Sequence, residues 1–206
     1  MFISSSPLRV SLLGGGTDIP EYFNKFGKGR VLGLVINRHV HVMAQVLEFK
    51  TNFNFRLSYS SHQDVMDISQ ITHPIFKEVL KKIQNRSLPI HFSTKSSLAS
   101  GSGLASSSAF TVALLDVVNS LNGQNNTPIE LAQEAIRIER EVLGESGGWQ
   151  DQYFASHSGV QAMEFFNSKC RVQNIQCNAW NDSLKSRLFL VGGVELPHPC
   201  PPLISF

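Results

Sequence analysis

The sequence predicts an α+β fold, and three observations carry that prediction. Val40, Val42, Ala44 and Val46 alternate with His39, His41, Met43 and Gln45, the pattern of a half-buried antiparallel strand. Residues 73–84 instead place Ile75, Val79, Leu80 and Ile83 at helical spacing, with Lys77, Lys81 and Lys82 elsewhere, as an amphipathic helix requires. A strand at 89–94, where Ile90 and Phe92 alternate with His91 and Ser93, runs through a Gly/Ser-rich stretch straight into a second amphipathic helix.

Composition bounds the function. The chain has 206 residues, 42% hydrophobic and 17% charged, enough for one sizeable core or a domain and a half. A net charge of +2 argues against nucleic acid as the main partner. No apolar run is long enough to span a bilayer, and 1–7 lack the basic and apolar regions of a signal peptide. Cys170, Cys177 and Cys200 are odd in number and lack zinc spacing. A reduced, cytoplasmic protein without a membrane partner is expected.

In order, 7–13 reads as a short strand broken by Gly14-Gly15-Gly16, with Thr17-Asp18 capping a helix at 19–26. Arg9 lies inside an apolar strand, where a charge needs a partner or a ligand; from the residues alone, Arg9 and Asp18 suit a structural or a binding role equally. Two strands are expected at 31–36 and 40–47, linked near Asn37-Arg38. The i, i+2 pair His39 and His41 reads as solvated surface. Phe53, Phe55, Leu57 and Tyr59 mark a further strand, and 60–69 is polar and reads as a loop. Helix 104–121 buries Phe110, Leu114, Val117, Val118 and Leu121, and Asn122-Gly123 ends it. Thr127-Pro128-Ile129-Glu130 is a capping box opening a helix to about 143, with Leu131, Ala135, Ile138 and Val142 as its stripe. Glu139 sits beside that stripe and Glu141 faces solvent; read alone, Glu139 is an ordinary surface ion pair. Strands are expected near 159–166, 171–175 and 187–191, before a Pro-rich tail at 197–206.

The stretch 95–109 organises the chain. A small-residue loop at a helix start presents unpaired backbone N–H groups and the positive end of the macrodipole, so an anion is its natural occupant. Gly101 and Gly103 permit close approach, and Ser106, Ser107 and Ser108 add hydroxyls in the first turn. The bland reading is a flexible linker. No Gly-Lys-Ser/Thr follows, so this is no Walker loop, and Ser106 stands where a G-x-G-x-x-G fingerprint needs its third glycine.

Gly103-Leu-Ala-Ser-Ser-Ser-Ala109 resembles the second motif of the GHMP kinases, Pro-x-x-x-Gly-Leu-x-Ser-Ser, with Ala99 at the Pro position. Pro7-Leu-Arg-Val-Ser-Leu-Leu-Gly-Gly-Gly-Thr-Asp18 resembles their first motif, in the form of the D-glycero-D-manno-heptose 7-phosphate kinases and fucokinase-like relatives. Glu139-Arg-x-x-x-Gly144 and Gly147-Gly-Trp-Gln-Asp-Gln-Tyr153 are similar to the heptose-kinase version of a third segment. The resemblance spans about 7–165. It implies a ribosomal protein S5 domain 2-like fold, a mixed or antiparallel sheet with helices packed on one face. Residues 1–165 would form the ATP-binding N-terminal domain, and 166–206 the start of a C-terminal region, truncated or altered.

The resemblance also implies roles. Ser100, Gly101, Ser102, Gly103, Leu104, Ala105, Ser106, Ser107 and Ser108 would wrap the triphosphate of ATP. Ser107, with a one-residue ambiguity toward Ser106, and Glu139 would hold Mg²⁺, which takes only one or two carboxylates and keeps waters. Asp151 would be the base and Arg9 would sit near the reacting hydroxyl. Gly16, Thr17, Asp18, Gln150 and Gln152 would face a sugar or sugar phosphate. The expected activity is ATP-dependent phosphoryl transfer to a sugar hydroxyl, with a heptose 7-phosphate favoured. Members of the family carry a further C-terminal domain with a third Gly-rich motif, and no counterpart is found here. That leaves two other readings open, an inactive nucleotide- or sugar-binding module and a remnant without function, and it suggests exposed apolar surface and a homo-oligomer.

Overall fold

The computed structural model describes residues 1–84, 88–96, 98 and 102–176. The compact unit runs from Met1 to Ile175. The strand expected at 187–191, the Pro-rich tail, Cys177, Cys200, Ala99, Ser100 and Gly101 lie outside the described residues.

The organising element is β2 (Gly29–Val46), a single strand of 18 residues. One edge pairs antiparallel with β1 (Phe2–Leu13) along most of its length. The other edge is shared. Its C-terminal half, Val40–Val46, pairs with β5 (Ile90–Ser96), and its N-terminal half, Gly29–Leu34, pairs with β6 (Val160–Phe166). Beyond β5 lie β3 (Phe55–Ser58), parallel to it, and β4 (His62–Val65); beyond β6 lies β7 (Lys169–Asn174). The result is a seven-stranded mixed sheet in an α+β fold.

Two strands were expected where β2 is one. The register explains the difference: Pro7 pairs with His39 and Leu8 with Ile36, so Asn37 and Arg38 are extra residues on β2. The turn-like dipeptide marks a bulge that re-aims the strand without ending it. The polar stretch expected as a loop contains β4. Only Val65 of its four residues is buried, and the Arg56–Asp64 ion pair bridges β3 and β4. A short charged edge strand has almost no apolar signal.

Among the described residues five α-helices pack with this sheet: α1 (Pro20–Phe26), α2 (Pro74–Leu80), α3 (Ser106–Leu121), α4 (Pro128–Ile136) and α5 (Gln150–Ser156). The predicted cap of α1 is not used, since Ile19 occupies the N-cap position and offers no side-chain bond. Helix α3 is central. Val112, Ala113, Leu114, Leu115, Val117 and Val118 are all buried, and they share a core with Leu8, Val42 and Phe92 of the sheet and Phe76 of α2. A second core joins Phe23 of α1, Ala132 and Ile136 of α4, Tyr153 and Phe154 of α5, and Met163 and Phe165 of β6. Helix α5 lies so close to β2 that a Cβ on Gly33 would come within 2.5 Å of the Phe154 ring.

Helix α4 opens as the capping box requires. Thr127 accepts from Glu130 N at 3.3 Å, and Glu130 accepts from Thr127 N at 2.8 Å. Thr127→Ala is expected to cost about 0.5–2 kcal/mol, read from chemical denaturation midpoints. The helix then continues as a π-helical segment, Arg137–Val142. Such wide turns recur at functional sites, and this one carries Glu139.

Candidate active site

Three chain segments meet at the start of α3. The first is the loop itself. Gly103 (φ 72°) and Ala105 (φ 63°) are both left-handed. Alanine is strained there, so the turn into α3 is held by its surroundings. Ser107 is exposed and Ser108 buried.

The second segment is β1. Arg9 donates from Nε to Asp151 Oδ1 at 2.8 Å and from Nη2 to Oδ2 at 3.0 Å. This is the fork-on-fork geometry that fixes both planes. Its Nη1 donates to the carbonyl of Gly103 at 2.8 Å. One guanidinium therefore ties the acid on α5 to the loop. The requirement that a charge on this strand find a partner is met by Asp151, across 142 residues of sequence.

The third segment is the π-helical turn. Glu139 is 1% exposed. Its Oε2 accepts from Ser108 Oγ at 2.9 Å and also from Gln152 Nε2. Its Oε1 is buried with no hydrogen-bond partner. The hydroxyl on Glu139 is thus that of Ser108, one residue beyond Ser107. Asp151 and Gln152 are consecutive on α5, so they point about 100° apart, one to Arg9 and the other to Glu139.

Burial pushes the Glu139 carboxyl pKa up, with the hydroxyl of Thr111, the hydrogen bonds from Gln152 and Ser108 and the charge of Arg140 opposing it. A carboxyl raised in this way holds its proton more tightly folded than unfolded. Its contribution therefore favours folding at low pH and is lost as pH climbs from the ordinary carboxylate range through the raised value. Metal-free protein is expected to lose thermal stability across that window. Glu139→Gln should flatten the loss, which melting curves taken upward in pH from the ordinary carboxylate range would measure.

The residues expected to face a sugar divide. Asp18 is buried, accepting from Gly16 N and Gln150 N, both at 3.0 Å. Thr17 uses its hydroxyl on the backbone, donating to Gly14 O at 2.8 Å and accepting from Arg30 N at 2.9 Å. Gln152 is 0% exposed and turned toward Glu139, so it has no open face. Gly16 is exposed, whereas Gln150 is half-buried and its Oε1, though unpartnered, is itself buried. Beside the loop lies a cavity of about 470 Å³ whose lining includes Tyr59, His73, Thr94, Ser106, Ser107 and Phe110. Its size lies in the range of small-molecule sites. Sequence reasoning missed Ser108 as the partner of Glu139, because a triple serine carries no phase of its own. It missed this wall too, because the wall assembles from the residue after β3, the N-cap of α2, and β5 and α3.

Residues 74–159 match the family described as the GHMP kinases N terminal domain. A D-glycero-D-manno-heptose 1-phosphate kinase from Bacteroides thetaiotaomicron superposes with a TM-score of 0.79 at 26% identity, over 90% of this chain and 64% of that one. This chain carries a GHMP kinase N-terminal domain. The GHMP kinase relatives by sequence include a D-glycero-alpha-D-manno-heptose 7-phosphate kinase from Campylobacter jejuni, 33% identical over 182 residues. A galactokinase from Thermosipho africanus is 27% identical over 160 residues. These alignments cover 83% and 74% of this chain but 52% and 42% of the relatives. The chain thus spans about half the length of the curated GHMP kinases it matches. Among the described residues, no helix is long and apolar enough to cross a membrane.

Proposed function

We propose that the chain belongs to an ATP-dependent sugar kinase that phosphorylates a hydroxyl of a sugar phosphate, with a heptose 7-phosphate as the favoured acceptor. One observation carries this reading: both acids, Asp151 through Arg9 and Glu139 through Ser108, are tied to the same loop–helix junction at 103–108. The relatives named as heptose phosphate kinases supply the acceptor class.

The loop 100–108 would receive the triphosphate on its backbone N–H groups, at the positive end of α3. The cavity beside Ser106 and Ser107 has room for the nucleoside. Asp151 would take the hydroxyl proton of the acceptor as its oxygen bonds to the γ-phosphorus and the bond to the β-phosphate oxygen breaks, releasing ADP. Arg9 would stabilise the attacking oxygen.

The site also fits Mg²⁺. Glu139 has one oxygen anchored by Ser108 and Gln152 and the other buried without a partner. That orphaned oxygen, with the Ser107 hydroxyl, would hold the cation. Among the described residues, no cluster of three or more His, Cys, Asp or Glu forms a metal cage, so phosphate and water oxygens would complete the shell. When bound, the ion supplies neutralisation of charge on the phosphates.

The test is ADP release with heptose 7-phosphate, galactose and fucose as acceptors, alongside thermal shift with Mg-ATP. Turnover with a sugar phosphate supports the proposal. A shift without turnover on any acceptor reduces the chain to a nucleotide-binding module, and the absence of both turnover and shift refutes the kinase reading.

A further inference from the structure

We infer that Asp18 is a positioning residue for Asp151 and not a sugar ligand, and that it acts with Arg140 by gripping the 145–150 segment from opposite sides. For its kinetic consequence the inference rests on the kinase reading above.

The carboxylate of Asp18 is spent on the protein. It is 1% exposed. Oδ1 accepts from Gly16 N at 3.0 Å and from Gln150 Nε2 at 3.4 Å, and Oδ2 accepts from Gln150 N at 3.0 Å. The Asp18 carbonyl also accepts from Trp149 N at 3.2 Å. Gln150 is the residue immediately before Asp151, so this one side chain anchors the peptide from which the acid projects. A carboxylate so enclosed has no approach left for a sugar hydroxyl.

Arg140 holds the other side. Its Nε donates to Gly148 O at 3.3 Å and its Nη1 to Ser146 O at 3.1 Å. The residue before it, Glu139, accepts at its backbone carbonyl from Glu145 N at 2.9 Å.

The adjacent glycines face one gripping group each. A Cβ on Gly147 would meet the Arg140 guanidinium carbon at 3.2 Å, and a Cβ on Gly148 would fall 1.9 Å from Asp18 Oδ2. The second figure is the decisive one: the carboxylate presses on a backbone that tolerates only hydrogen. The Gly-Gly pair thus lets a cationic and an anionic side chain close on one strand of loop. Because Arg140 follows Glu139 directly, this grip sets where Asp151 stands relative to Glu139.

The experiment compares Asp18→Asn and Gly148→Ala with the unaltered chain. Gly148→Ala removes no side chain that could touch a sugar. Hydrogen exchange is followed by mass spectrometry, and steady-state kinetics use Mg-ATP and heptose 7-phosphate. Both variants are expected to exchange faster at 148–152, with exchange over 106–121 unchanged. Both should lose about 10²-fold in kcat, the scale of a misplacement near 1 Å, with KM for the sugar phosphate little changed. A rise in sugar KM for Asp18→Asn with unaltered exchange at 148–152 would make Asp18 a ligand and overturn the inference. Unaltered exchange and kcat in Gly148→Ala would overturn it as well. The exchange readout needs no turnover, so if the chain phosphorylates nothing, the grip is still decided while the kinase reading fails separately.

Discussion

Asp151→Asn is expected to slow phosphoryl transfer by about 10²–10⁴-fold, the usual contribution of a positioned general base. Nucleotide affinity, measured by calorimetry with Mg-ATP, should be nearly unchanged. The reason is spatial: among the described residues Asp151 is joined to the loop through Arg9, whose Nη1 already holds the Gly103 carbonyl. Asparagine keeps one acceptor for the guanidinium but loses the charge that makes the pair strong. With both side chains less than a quarter exposed, the lost pairing should also lower stability by about 1–3 kcal/mol. Turnover close to that of the unaltered chain would remove Asp151 from the role of base.

Phe76→Ala is expected to cost about 3–5 kcal/mol, about a fifth or more of the stability of an ordinary domain. Phe76 is fully buried, and its ring lies within about 6 Å of four others, those of Tyr59, His73, Phe92 and Phe110. Three of these, Tyr59, His73 and Phe110, line the cavity beside the phosphate loop. Truncation should therefore weaken nucleotide binding as well as lower the urea midpoint. A midpoint shift worth less than about 1 kcal/mol would mean that the aromatic group collapses to fill the space.

The parts of this molecule that were legible in the sequence are those where local chemistry and final role coincide. The capping box at Thr127 is complete within four residues and forms as read. The period-two face of 40–46 is buried as expected because β2 covers one core with it. Arg9 was legible as a question, a charge in an apolar strand, and its answer lies far along the chain. Elements that depend on partners could not be read. The length of β2 is set by three neighbouring strands. The strand His62–Val65 exists because β3 offers it an edge. Gln152 reads like Gln150 in sequence, yet two steps along the helix, about 200° of rotation, send it into the core, against Glu139. The site was therefore visible as a set of residues before it was visible as a geometry.

The two additional residues in β2, Asn37 and Arg38, have an implication for how this chain can lengthen or shorten. Side chains on a strand swap faces with every step. Losing both residues would keep Val40, Val42 and Ala44 turned inward, whereas losing one would turn them all to water. Parity, more than identity, is what this stretch must conserve, and related chains should differ there by even counts.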